Sequence, residues 1–174
     1  MKAMLVTFVT FFILSISNFL SAEEGQKIFL LRHAEKEINV DSDPSLTVVG
    51  RQRAEKLVGI FQSVNISAIF STEYKRTLQT ATPLAEALGL EIRRYDPRAL
   101  DKFAEQLQQE TGNLLVIGHS NTTPQLSELL GGKSFGQIDD SEYNVLYRLQ
   151  ISGTSITTDL LDMRTFSGKD RVEK

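Results

Sequence analysis

The sequence has no cysteine and only two histidines among its 174 residues. The absence of cysteine excludes disulfide bonds, thiolate metal ligands and a cysteine nucleophile. Lysine and arginine form no run and the formal net charge is -3, so general binding to nucleic acid or to an anionic membrane surface is not expected. The chain also lacks internal repeats and low-complexity segments, and its length suits one domain with its own hydrophobic core.

The first 22 residues have the layout of a secretory signal peptide, with Lys2, an apolar run over 3–20, and small residues that end at Ala22. We expect cleavage after Ala22 and a periplasmic or secreted protein. The folded domain is then 23–166, and 167–174 is a flexible tail.

An uncleaved membrane anchor is the alternative interpretation of the N-terminus. Leu20 stands three places before the cut, where a small residue is preferred, and the run is about as long as the roughly 20 apolar residues of a membrane helix. A core helix is disfavoured because the run has no amphipathic period.

Apolar runs and helical periodicities alternate along the rest of the chain. Strands are predicted over 27–31, 66–71, 90–95 and 114–117; helices are predicted over 48–62 with Thr47 as N-cap, from a Ser71 or Thr72 cap to Gly89, over 98–110 and over 121–130. Two more strands, 143–151 and 155–163, form a predicted edge hairpin. This order predicts an α/β three-layer sandwich, a mainly parallel sheet with helices on both faces.

Each histidine follows one of the predicted strands. Arg32 and His33 come directly after residues 27–31, and His119 comes just after 114–117. Because the carboxyl ends of parallel strands open on one edge of a sheet, we expect these side chains to share a crevice.

Arg76 adds a second arginine to this crevice, because it lies in the first turn of the helix that follows the strand 66–71. Two arginines, two imidazoles and nearby helix N-termini suit a dianionic tetrahedral group, that is, a phosphoryl group.

Two imidazoles indicate chemistry rather than binding alone. An imidazole beside cations has a lowered pKa and stays unprotonated and nucleophilic. One histidine that attacks phosphorus would form a phosphohistidine, which water later hydrolyses, while the other would stabilise charge on the phosphoryl oxygens.

Four motifs resemble the histidine phosphatase superfamily, the phosphoglycerate mutase-like group. They are Leu31-Arg32-His33-Ala34-Glu35; Ser45-Leu46-Thr47 with Gly50 and Ala54; Ser71-Thr72 with Arg76-Thr77-Leu78-Gln79-Thr80-Ala81; and Gly118-His119-Ser120. The resemblance runs from residue 27 to about residue 130. It implies that His33 is the phosphorylated nucleophile, that Arg32, Arg76 and His119 complete the phosphate pocket, and that no metal or other cofactor is needed.

The resemblance also implies a general acid between Arg76 and His119, and there the pattern is incomplete. Asp96, after a predicted strand and before Pro97, is the best placed carboxylate, and Glu91, Asp101 and Glu105 are the alternatives in this region. Glu73, on the turn that leads to Arg76, is a further alternative. A second departure is Ala34, which stands where the family has glycine.

The segment 90–110 is short for the substrate-closing insertion of the mutases, so the chain resembles the small one-domain phosphatases, including phosphohistidine phosphatases. The predicted function is an exported, metal-independent phosphatase for a phosphomonoester or phosphoramidate on a small molecule or phosphoprotein. Contact with a membrane is expected only through an uncleaved signal. The alternatives are a phospho-ligand-binding protein without turnover and a phosphoglycerate mutase-type phosphotransferase.

Overall fold

Six strands form one sheet in the computed structural model, which describes residues 25–38 and 42–168. They are β1 (Gln26–Arg32), β2 (Ile66–Ser71), β3 (Ile92–Arg94), β4 (Asn113–Gly118), β5 (Val145–Ser152) and β6 (Ser155–Asp162). Their order is β3-β2-β4-β1-β5-β6; the first four run parallel, and β5 is antiparallel to β1 and β6. The mainly parallel sheet and the C-terminal hairpin are confirmed, with β6 at the edge.

Four helices cover both faces of the sheet. They are α1 (Val48–Phe61), α2 (Lys75–Leu88), α3 (Leu100–Leu107) and α4 (Thr122–Leu129). In β1, Ile28 and Leu30 pack in the core with α3 and α4, whereas Phe29 and Leu31 pack in the core with α1 and α2. Because β1 is buried on both sides, its sequence is continuously apolar instead of alternating, and the three-layer prediction is confirmed.

Two helices begin later than predicted. Helix α2 is preceded by Tyr74, without a side-chain cap, because the Thr72 hydroxyl is engaged elsewhere. Helix α3 begins at Leu100 rather than 98, because the Asp96 carboxylate accepts the Arg98 N–H in a local turn, a structure that competes with the helix. It also ends at Leu107, short of 110.

The start of α1 lies directly on the loop that follows β1. The Thr47 hydroxyl accepts the Gly50 N–H at 3.0 Å, so the predicted N-cap is confirmed, and the Thr47 N–H donates to the Glu35 carbonyl at 2.9 Å. A Cβ atom at Gly50 would stand 2.1 Å from that same carbonyl oxygen. Glycine is therefore required for α1 to support this loop.

The predicted domain boundaries stay predictions. The signal peptide over 1–22 and most of the predicted tail, 169–174, lie outside the described residues. Within 25–38 and 42–168, the helices are too short or too polar to cross a bilayer.

Candidate active site

A cleft of about 360 Å³ opens at the carboxyl ends of β1 and β4. It is lined by both histidines, His33 and His119, and by both arginines, Arg32 and Arg76. The structure thus brings together the four residues that the sequence predicts for a phosphate pocket.

His33 is fixed at the end of β1 with one ring nitrogen facing the backbone. Its main-chain N–H donates to the Gly118 carbonyl at 3.0 Å, and its Nδ1 lies 2.8 Å from the Ala34 carbonyl oxygen. A carbonyl can only accept, so Nδ1 carries the proton and the lone pair is on Nε2. Ala34 is buried against Leu46 and Ala54, and the place usually held by glycine accommodates its methyl group.

His119 meets His33 edge to face, with ring centroids 5.6 Å apart. Its Nδ1 lies 3.5 Å from Arg76 Nη2, and its Nε2 lies 3.2 Å from the Thr72 hydroxyl. A guanidinium can only donate, so the Nδ1 of a neutral His119 is the acceptor.

Both imidazoles are neutral at neutral pH. Burial, together with the charges of Arg32 and Arg76, lowers the pKa of His33 to about 3, against the raising effect of the Ala34 hydrogen bond. Burial, then Arg76 and Arg32, lower the pKa of His119 to about 4. An unprotonated His33 is the state that can attack phosphorus.

Arg32 and Arg76 each carry a buried Nε that finds no hydrogen-bond partner in the described part of the chain. Arg32 is 4% exposed, and its terminal nitrogens donate to the Asp139 carbonyl at 2.9 Å and to the Asp140 carboxylate at 3.1 Å. Arg76 lies 3.7 Å from Asp43. An unpaired buried donor costs about 1–3 kcal/mol, which an anion in the cleft would offset.

Several side chains at the site were not predicted from the sequence. The Tyr74 ring lies 4.3 Å from the Arg76 guanidinium carbon and 5.2 Å from the His119 ring, and the Tyr143 ring lies 4.4 Å from the Arg32 guanidinium carbon. Such cation–π contacts hold the arginines in place. Neither tyrosine stands in a recognisable motif, although Tyr74 comes just before α2.

The structure does not bring Asp96 into this cleft. Its carboxylate is half exposed in a neighbouring depression with Arg94 and Pro97, and it accepts the Arg98 N–H and Nε–H. These hydrogen bonds lower the pKa of Asp96, which is the wrong direction for a general acid. The acid role of Asp96 stays a prediction that this geometry does not favour.

Of the other carboxylates near the site, one lines the cleft and two form ion pairs outside it. In the described part of the chain, Asp140 is the one carboxylate that lines the cleft. Glu73 pairs with Arg94 at 2.5 Å outside it. Burial alone would raise the pKa of Glu35, but the hydrogen bonds and charge of Arg53 outweigh it, so the pKa is lowered. Glu35 and Arg53 form an ion pair that braces the loop after β1.

Within 25–38 and 42–168, no three histidine, aspartate or glutamate side chains are grouped in a way that could hold a metal ion. Metal independence stays a prediction.

The sequence of residues 28–105 matches the family model of the histidine phosphatase superfamily (branch 1). A probable phosphoglycerate mutase, GpmB, from Salmonella paratyphi A is 28% identical over 132 residues, which cover 69% of this chain and 61% of the mutase. The chain thus spans about three fifths of that relative.

Two solved structures show the same fold. The protein histidine phosphatase SixA complexed with tungstate superposes with a TM-score of 0.65 at 16% identity, covering 79% of this chain and 97% of SixA. The alpha-ribazole phosphatase from Shigella flexneri gives 0.64 at 14% identity, covering 83% and 100%. The matched segment contains Arg32, His33 and Arg76, and the fold adds His119 beside them. The chain belongs to the histidine phosphatase superfamily.

Proposed function

We propose that the chain is a phosphatase that hydrolyses a phosphomonoester or phosphoramidate through a phosphohistidine on His33. One observation carries the proposal: a buried, unprotonated His33 lies beside His119 in a cleft where Arg32 and Arg76 each keep an unpartnered Nε. The protein histidine phosphatase SixA has the same fold, and this likeness supports the proposed reaction class.

In the first half-reaction, the Nε2 lone pair of His33 bonds to phosphorus while the bond from phosphorus to the leaving oxygen or nitrogen breaks on the opposite side. Arg32, Arg76 and His119 hold the charge on the three non-bridging oxygens. The leaving atom takes a proton from a general acid, for which we propose Asp140, because it is the one carboxylate of the described residues that lines the cleft.

In the second half-reaction, a water oxygen bonds to phosphorus and the bond from phosphorus to His33 Nε2 breaks. The Asp140 carboxylate takes a proton from that water, so the acid is restored and inorganic phosphate leaves. The Asp140 side chain is 87% exposed, so water reaches this side of the cleft.

Water access also favours hydrolysis over a mutase reaction. Between α2 and β4, the chain has room only for β3 and α3, and Pro97 and Arg98 are what that segment contributes to the cleft. A phosphotransferase must keep water away from its phosphohistidine, and this short segment offers little cover.

The test is hydrolysis of an aryl phosphate and of a phosphoramidate by the chain and by His33→Ala, with Lys102→Ala, a change at an exposed position of α3, as the control. We expect a phosphohistidine after alkaline quench, full activity in the control and none in His33→Ala. Equal rates for His33→Ala would contradict the proposal. Phosphate binding without turnover would indicate a binding protein, and transfer to an alcohol in preference to water would indicate a phosphotransferase.

We also propose that the chain is exported, on the basis of the sequence pattern of residues 1–22 alone. Cell fractionation with sequencing of the protein's N-terminus tests this. A mature protein that begins at Glu23 supports export with cleavage, and an intact N-terminus in the membrane fraction identifies an anchor. Recovery of the intact chain in the cytoplasm would contradict export.

A further inference from the structure

Two buried threonines connect the second histidine of the cleft to the backbone. Thr72 and Thr77 are fully buried, and their hydroxyl oxygens lie 2.8 Å apart. The Thr72 hydroxyl is also 3.2 Å from His119 Nε2, and the Thr77 hydroxyl is 2.8 Å from the Tyr74 carbonyl oxygen. The four groups form a continuous chain of hydrogen bonds.

The hydrogen bonds of Thr77 determine which group donates and which accepts along this series. The Thr77 hydroxyl lies within hydrogen-bond distance of two carbonyl oxygens, those of Tyr74 and Thr72. Carbonyls only accept, so the single Thr77 proton points to them. The Thr77 oxygen is then an acceptor, and the Thr72 hydroxyl donates to it.

The direction of the hydrogen bond between Thr72 and His119 follows from the single proton of the Thr72 hydroxyl. Thr72 has given its one proton to Thr77, so toward His119 its oxygen can only accept. His119 Nε2 must therefore carry a proton. The second ring nitrogen, Nδ1, keeps the lone pair and faces the Arg76 guanidinium 3.5 Å away. The reverse tautomer would set two donors against each other at Nδ1 and two acceptors against each other at Nε2.

We propose that Thr72 and Thr77 are positioning residues that hold His119 as its Nε2–H tautomer and direct Nδ1 toward Arg76 and the cleft. When a phosphoryl dianion enters the cleft, His119 takes up a proton from solvent, and that proton is added at Nδ1. The imidazolium can donate it to the anion, while Nε2 stays bonded to Thr72. The catalytic part of this inference rests on the proposed function; the tautomer itself does not.

Nitrogen-15 NMR of histidine-labelled protein measures the tautomer directly. The chain has only two histidines, so the spectrum contains four imidazole nitrogens, and His33→Gln assigns them. We expect the His119 signals of the wild-type protein at neutral pH to show a protonated Nε2 and an unprotonated Nδ1. An Nδ1–H tautomer in the wild type would overturn the inference, whether or not the protein hydrolyses any phosphate.

Thr72→Val removes the acceptor and keeps the shape of the side chain. We expect a mixture of His119 tautomers, a kcat lowered about two- to tenfold for the loss of one hydrogen bond, and a shifted acidic limb in the pH profile. Thr72→Ser restores the acceptor and should restore all three. Thr82→Val is the matched control, because its hydroxyl donates only to Leu78 within the same helix.

The variants separate positioning from packing. Equal losses in Thr72→Val and Thr72→Ser, with the tautomer unchanged in both, would overturn the inference in favour of a packing role. If Thr72→Val does not fold, Thr77→Val interrupts the same chain of hydrogen bonds one step further from the ring and must also mix the tautomers.

Discussion

At the scale of single residues, Arg32 and Arg76 differ in burial and pairing from Arg98, the third arginine that lines the cleft. Arg32 and Arg76 stack on tyrosines and keep a buried Nε unpaired, whereas the Arg98 side chain is 88% exposed and pairs with Asp96. A planar guanidinium can grip two phosphate oxygens and donate through Nε as well, and an ammonium cannot reproduce this.

Arg76→Lys is therefore expected to lower kcat/KM for an aryl phosphate by about tenfold to a hundredfold, the effect of a lost hydrogen bond to a charged group. Arg98→Lys, a matched change at the same cleft, should stay within about twofold, because an exposed ion pair contributes little. Steady-state kinetics of the two variants make the comparison. Equal losses would show that the buried Nε atoms have no special part in binding.

The four residues that the sequence predicts for the phosphate pocket each have a signal in the local sequence, whereas the other side chains found at the site do not. Arg32, His33 and His119 follow apolar strands, and Arg76 stands in a motif, so each has a local signal. Tyr143 and Asp140 lie in a segment without periodicity and reach Arg32 from 108 or more positions away. Contacts at that separation depend on the completed sheet and have no trace in local sequence.

At the scale of elements, the acidic loop, residues 136–144, closes one side of the cleft. Arg32 donates to the carbonyls of Asp139 and Glu142 and to the carboxylate of Asp140. At the far end of the loop, the Asn144 side chain accepts a hydrogen bond from Arg53, which also holds Glu35. The loop is thereby tied both to the arginine of β1 and to α1.

Asp140→Asn tests whether this loop supplies the general acid. For an alkyl phosphate, whose leaving oxygen needs a proton, we expect kcat to fall about 10²- to 10⁴-fold. For an aryl phosphate with an acidic phenol, the change should be small. Both rates would fall together if Asp140 served only to pair with Arg32.

Asp96→Asn and Asp101→Asn are the companions to this variant, because the sequence also offers these carboxylates as the acid. Neither lines the cleft, and we expect both to retain activity on either substrate. A selective loss for the alkyl phosphate in Asp96→Asn would instead restore the prediction made from the sequence.

The helices show where a sequence pattern stops being informative. Their apolar stripes predict all four, since the buried positions repeat at helical spacing. Their first residues are less well predicted, because the hydroxyl of the predicted cap Thr72 bonds to His119, and because the Asp96 carboxylate holds Arg98 in a turn ahead of α3. A capping residue is recognised by type, whereas its actual partner is decided by tertiary contacts.

At the scale of the whole molecule, the two depressed histidine pKa values link stability to pH. Folded His33 and His119 have pKa values of about 3 and about 4, against 6.5 for an ordinary histidine. At pH values between the folded and the ordinary pKa, the unfolded chain binds more protons than the folded one. The contribution of the two histidines to the free energy of unfolding is therefore fully present above about pH 6.5 and is lost as the pH falls toward the folded pKa values.

Urea unfolding at about pH 7.5 and about pH 5 should therefore show a lower free energy of unfolding at the acidic pH, by on the order of 1–2 kcal/mol for His33. His33→Gln should reduce the difference, since glutamine does not titrate. Added inorganic phosphate should reduce the difference between the two pH values in the wild-type protein, because a bound phosphate anion favours the protonated imidazoles. A difference that is the same in both proteins would show that other groups cause it.

The cleft draws on widely separated parts of the chain: the His33 N–H binds the Gly118 carbonyl, and Arg32 binds the Asp139 carbonyl 107 positions away. Synthesis runs from the N-terminus, so the nucleophile is made early, while Arg76 and His119, which help to lower its pKa, come later. Until β1 has paired with β4, His33 is an ordinary exposed imidazole without an anion pocket. Turnover of an aryl phosphate would thus report the last steps of folding in real time.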